Sequence, residues 1–193
     1  DFILFGEAWS DSDTLCASYT QNEDKTKRRL DSMIYFPLNT AIRNVFASGG
    51  ATNSITTVLN ARYTSGYANP DKLVTFVNNH DMGRISAQTT SSLNKAAHAF
   101  IMTIPGVPQI YYGDEQALDV CREAMFTGGY QGPNLAAATS DSFSTSSEMY
   151  NYIAGLISLR KANPVLSNGK VTVVRDSSST GILAYRTVLG NGG

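Results

Sequence analysis

Cysteine, histidine and tryptophan are scarce in this chain, and each scarcity removes a class of chemistry. Two cysteines in 193 residues, Cys16 and Cys121, are too few for a disulfide framework. Whether these two pair stays open, because separation in sequence does not set separation in space. With His80 and His98 as the only histidines, no Cys/His metal cluster can be assembled. Charge of one sign is lacking too: 15 Lys and Arg against 16 Asp and Glu leave a net charge of −1, so there is no electrostatic footprint for nucleic acid. No apolar run approaches the roughly 20 residues of a membrane-spanning helix. What is present is a globular composition with 16% charged residues and much Ser, Thr, Asn and Tyr. Such a neutral, polar surface suits sugars better than phosphates.

Periodicity then sets the organisation. Asp1–Phe5 is a short apolar run of the kind that forms a strand buried on both faces. A polar loop follows around Trp9 to Thr20, then an expected exposed helix over the charged segment 22–31 and a second strand at Met33–Phe36. Helical spacing appears at Ile42, Val45 and Phe46, stops at Gly49-Gly50, and resumes at Ile55, Val58 and Leu59 after a cap at Thr52 or Asn53. Leu73–Val77 is a third buried-strand run. Leu93, Ala96, Ala97, Phe100, Ile101 and Ile104 mark one face of a helix capped by Ser91 or Ser92 and stopped at Pro105-Gly106. A fourth strand is expected over Val107–Tyr112, a long loop over 113–145, and a fourth helix over Glu148–Ala162. Strand and helix thus alternate four times, the mark of right-handed βαβ units and a parallel sheet. Beyond Asn168 the pattern changes to Val171–Val174 and Ile182–Tyr185, two strands with no helix between them, which opens an antiparallel β appendage.

In parallel α/β architectures, reactive side chains gather past the carboxyl ends of the strands. Three such ends are polar here: Gly6-Glu7-Ala8-Trp9, Asn79-His80-Asp81 and Tyr111-Tyr112-Gly113-Asp114-Glu115. Two carboxylates and a histidine would share a cleft with Trp9 and a tyrosine whose rings can stack on sugars. Alternation along a strand lets only one of Tyr111 and Tyr112 face that cleft. His98, mid-helix between Ala97 and Ala99, reads as structural. Asp114 and Glu115 suit a loop cap as well as a cleft, Arg84 an ion pair as well as a ligand contact, and Phe126 and Tyr130 in the long loop are candidate outer sugar contacts.

These motifs resemble the α-amylase family of retaining glycoside hydrolases (glycoside hydrolase family 13). Gly6-Glu7-Ala8-Trp9 is similar to the family's motif on the fifth barrel strand, Phe76-Val77-Asn78-Asn79-His80-Asp81 to that on the seventh, and Pro105–Glu115 to the eighth strand and its exit. The resemblance implies the second half, strands 5 to 8, of a (β/α)8 TIM barrel over residues 1–167. The start of an antiparallel C-terminal β-sandwich domain would follow over 168–193. It also implies that the family's nucleophilic Asp and neighbouring Arg lie upstream of Asp1, so that the first half of the barrel is a required partner. A retaining glycosidase must protonate its leaving oxygen at neutral pH and then activate water, which calls for an acid that cycles beside an ionised nucleophile. By resemblance, Glu7 is that acid and base and Asp81 the third catalytic carboxylate. His80, Trp9, Tyr112 and Arg84 are the substrate-binding residues.

The implied substrate is an α-glucan, starch or maltooligosaccharide, and the implied location is the secreted or cell-surface one of a starch-acting enzyme. No cofactor or metal ligand set is expected in this segment, since the family's structural calcium is held mainly by the other half of the barrel. Two further readings compete. One is a non-catalytic relative that keeps the fold for carbohydrate binding or assembly; intact Glu7 and Asp81 argue against it. The other takes His80-Asp81 as the metal dyad of a phosphohydrolase, which needs further ligands on helices that this sequence does not supply.

Overall fold

The computed structural model describes residues 2–190. Asp1 of the expected first strand and residues 191–193 of the expected last domain lie outside that range.

Four short strands lie side by side. Strand β1 (Phe5–Gly6) runs parallel to β2 (Ser32–Met33), with Phe5 opposite Ser32. Ile34, just past β2, bridges in parallel to Val74 of β3 (Val74–Phe76), and β3 pairs in parallel with β4 (Val107–Gln109). Helix α1 (Asp13–Ser18) connects the first pair, α2 (Phe36–Phe46) and α3 (Asn53–Thr64) the second, and α4 (Ser91–Thr103) the third. This is the strand–helix order of a partial TIM barrel. Helices α5 (Glu148–Ala162) and α6 (Val165–Asn168) then lead into an antiparallel hairpin of β5 (Lys170–Arg175) and β6 (Ala184–Val188).

The core lies between strands and helices. Met33, Leu38, Ile42, Ile55, Leu73, Val77, Phe100, Ile101 and Ile104 are buried there, each aliphatic side chain contributing about 1.5–3 kcal/mol by leaving water. Gly106 makes the α4–β4 turn at φ +138°, where a β-carbon would meet Thr75 and the carbonyl of Leu73. At the same end, Arg160 donates to the carbonyls of Met102, Ile104, Leu166 and Gly106 and so satisfies the end of α4. The hairpin is packed on this body: Tyr185 meets Phe100 edge to face, and Ser177 N donates to Thr52 Oγ1.

Several local expectations are corrected by the structure. Segment 22–31 is not a helix but a tight excursion closed by a Gln21–Arg28 bridge. The side chains of Asn22 and Asp24 accept from the backbone amides of Lys27 and Thr26, which offers the chain a local alternative to helix. The loop 9–20 contains α1, capped by Ser12 Oγ. The second strand stops before Tyr35, because Pro37 opens α2 with its fixed φ. The cap of α4 is Thr90 rather than a serine, while Thr52 caps α3 without a side-chain bond and spends its hydroxyl on the hairpin. The run Phe2–Phe5, which reads as a strand buried on both faces, is exposed, Phe2 by 82% and Ile3 by 73%. Among the described residues strand β1 has a neighbour on one side only.

Candidate active site

Because the four strands are parallel, their carboxyl ends share one rim. Glu7 follows β1 directly, Asn78–Asp81 follow β3, and Tyr111–Asp114 follow β4. Glu7 and Asp81 therefore lie on that rim, past the first and third strands of the row. Among the described residues Glu7 has no hydrogen-bond or ion-pair partner, and its side chain is exposed.

Trp9 is placed by stacking. Its ring lies on Phe36 with centroids 5.4 Å apart and planes 21° apart, and Phe36 meets Phe76 edge to face at 5.2 Å. An aromatic stack thus ties the β1 exit to strand β3, while 61% of Trp9 stays open to solvent. Below the loop, Cys16 Sγ points at the carbonyls of Ala8 and Ser10, and Asp11 accepts from Thr40. Both cysteines are free thiols.

His80 and Asp81 come together at the apex of the β3 turn. His80 Nε2 is 3.2 Å from Asp81 Oδ2, and Arg122 Nη2 donates to Asp81 Oδ1 at 2.8 Å. Arg122 Nε also donates to the carbonyl of His80 at 2.6 Å, joined by Cys121 Sγ at 3.1 Å. Arg122 and Cys121 come from the long loop after β4. Nothing local marked Arg122, since one arginine in a Gly- and Ser-rich stretch has no periodicity to betray its partner.

Arg84 departs from expectation. A substrate contact needs an accessible guanidinium, and this one is fully buried. Its Nη1 donates to Asp114 Oδ1 at 3.0 Å, Nε to the carbonyl of Val120 and Nη2 to that of Tyr112, so no donor face is left for a sugar. Asp114 is buried as well and also receives Asn78 Nδ2 at 2.8 Å and the amide of Tyr111 at 3.1 Å. His98 Nε2 stands 3.4 Å from its other oxygen, consistent with a structural histidine, while His98 Nδ1 faces the carbonyl of Asn94 at 2.9 Å. Tyr112 is 41% exposed and its hydroxyl donates to the carbonyl of Glu123; Tyr111 lies against it edge to face. Phe126 and Tyr130 are exposed on the long loop.

Among the described residues no three or more of His, Cys, Asp and Glu converge on a point that a metal ion could occupy. Nor is any described helix long and apolar enough to cross a membrane.

A parallel βα row of this kind belongs to the class of TIM-barrel α/β folds, present here in part. The family model for the α-amylase catalytic domain matches residues 1–128, and the chain belongs to the α-amylase family. It is 32% identical over 219 aligned positions to an α-amylase of Streptomyces lividans and 35% identical over 169 to a cyclomaltodextrin glucanotransferase of Niallia circulans. These alignments take in 96% and 86% of this chain but only 22% of either relative, so the chain spans about a fifth of their length. Among solved structures, the cyclomaltodextrin glucanotransferase CldA superposes with a TM-score of 0.76 at 34% identity, over 98% of this chain and 37% of that one. The α-amylase of Geobacillus thermoleovorans, solved in complex with acarbose, superposes with a TM-score of 0.74 over 99% of this chain and 40% of that one. At 23% identity the latter speaks for the fold alone.

Proposed function

We propose that this chain is strands 5 to 8 of a retaining α-glucan hydrolase, or of a close transglycosylase, and that it acts on starch-like α-1,4 linkages together with the first half of its barrel. On this reading residues 1–167 complete the catalytic domain and 168–193 begin the C-terminal β domain. The observation that carries it is the placement of Glu7 and Asp81 at the carboxyl ends of the first and third strands of one parallel row.

The chemistry follows from that placement. A nucleophilic carboxylate from the first half attacks the anomeric carbon while Glu7 protonates the departing oxygen, then Glu7 takes a proton from the incoming water or sugar hydroxyl. Asp81 accepts hydrogen bonds from sugar hydroxyls, and these tighten as the ring flattens toward the oxocarbenium-like transition state. His80 donates beside it, and Trp9 and Tyr112 offer ring faces to the sugars. Arg84 supports the rim from below rather than touching substrate.

The open side of the row supports the need for a first half. Phe2, Ile3, Phe5, Val107 and Ile110 line a concavity of about 630 Å³, and several of these side chains stand in solvent. In a closed barrel further strands would cover them.

The test is Glu7→Gln in the complete barrel, assayed on maltooligosaccharides by separation of the products. Loss of cleavage by at least about 100-fold is expected from removal of a general acid. Turnover near that of the parent would show the acid and base assignment to be wrong.

A further inference from the structure

We propose that Asn78 and Asp114 are positioning residues for the carboxylate of Asp81, acting as one buried clamp on the turn that carries it. The proposal rests on the glycosidase reading above. The turn follows Val77, just past β3, and rejoins the packed chain at Ile85. At its base a single oxygen, Asp114 Oδ1, accepts from Asn78 Nδ2 at 2.8 Å and from Arg84 Nη1 at 3.0 Å, and so gathers both ends of the turn. Asn78 Oδ1 accepts from the amide of Ile85 at 2.8 Å and closes the ring across the base. With a carboxylate on one side and an N–H on the other, only one orientation of the Asn78 amide satisfies both.

Asp114 Oδ2 accepts from the amide of Tyr111, which fastens the clamp to the β4 exit. Asn78, Arg84, His98 and Asp114 are each at most 4% exposed. Charge-assisted hydrogen bonds in such a water-poor site are strong and directional. The apex differs: the His80 and Asp81 side chains are 58% and 29% exposed, Arg122 and Cys121 reach Asp81 Oδ1 and the carbonyl of His80 from the loop above, and Asn79 Oδ1 accepts from the amide of Asp81 at 3.1 Å. A turn locked at its base and open at its apex keeps Asp81 aimed, with its carboxylate part-exposed at the rim between Arg122 and His80.

The experiment is a double-mutant cycle in the complete barrel: parent, Asn78→Ala, Asp81→Ala and the double variant. All four are assayed on a 4-nitrophenyl maltooligosaccharide, whose easy leaving group keeps residual rates measurable. Asn78→Ala alone is expected to lower kcat by about 10- to 100-fold, the scale of a misplaced catalytic group, with KM little changed. In the Asp81→Ala background the same substitution should change the rate less than about 2-fold, because the group it aims is gone.

An equal factor in both backgrounds, or a folded Asn78→Ala with parental kcat, overturns the clamp. Should Asn78→Ala fail to fold, the isosteric Asn78→Asp goes through the same cycle. It keeps the acceptor toward Ile85 and replaces only the donor toward Asp114. Asp81→Ala with parental turnover would sink the glycosidase reading and the clamp with it, whereas a crippled Asp81→Ala with multiplicative effects sinks the clamp alone.

Discussion

Arg122 Nη2 lies 2.8 Å from Asp81 Oδ1, and the arginine comes from the long loop after β4 rather than from any strand. Its side chain is 62% exposed, so the ion pair adds at most about 1 kcal/mol to stability. Its consequence is geometric, because the same guanidinium also grips the carbonyl of His80. Arg122→Ala in the complete barrel should therefore leave the melting temperature almost unchanged and lower kcat/KM by about 10- to 100-fold. Calorimetry and steady-state kinetics on the same sample check both parts.

Arg84 should behave in the opposite way. Replacing it with Met leaves Asp114 charged, buried and without its strongest partner, a change that costs about 3–5 kcal/mol. Urea unfolding should show that loss. Whatever folded fraction remains should bind maltooligosaccharide with an unaltered KM, because Arg84 offers no donor to a sugar.

The Trp9–Phe36 stack separates binding from folding. Trp9→Ala removes an exposed ring and should raise KM several-fold with little change in stability. Phe36→Ala empties a core position beneath it, costs about 3–5 kcal/mol, and should raise KM as well once the support for Trp9 is lost. Chemical denaturation beside binding measurements distinguishes the two.

Asp13 gives a pH signature. Burial is the larger effect on its carboxyl and holds it above the usual value of 3.8, against the hydrogen bond from Tyr35 and the charge of Arg62 that pull it down. A group that binds its proton more tightly when folded contributes stability that is complete below its unfolded value and is lost as pH rises through the folded value. Asp13→Asn stays neutral at every pH and still accepts from Tyr35. It should raise the melting temperature at pH 7, and the gain should vanish below about pH 4. Melting curves across that range test the sign.

Much of the scaffold was legible because its signals are local. The stop of α4 at Pro105-Gly106 and the burial of Ala97, Phe100, Ile101 and Ile104 appear as read, whereas Leu93 at the start of the same face is 42% exposed; the alternation of strand and helix yields the parallel row. The polar ends of β1, β3 and β4 lie on one rim for the same reason. What escaped depends on contacts between distant segments. Segment 22–31 carries helix-forming Lys and Arg, yet Asn22 and Asp24 capture its amides and Lys25 turns to φ 60°. The burial of Arg84 and the reach of Arg122 belong to a loop whose path no periodicity sets. Phe2–Phe5 reads as a buried strand, yet among the described residues β1 pairs on one side only and the run stands exposed.

The central claim is that Glu7 delivers and retrieves the proton, and Glu7→Ala in the complete barrel tests it most directly. On a 4-nitrophenyl maltooligosaccharide the steady-state turnover should fall at least about 100-fold, and added azide should restore much of it by attacking the glycosyl-enzyme without needing a general base. Parental turnover that azide does not change would contradict the claim.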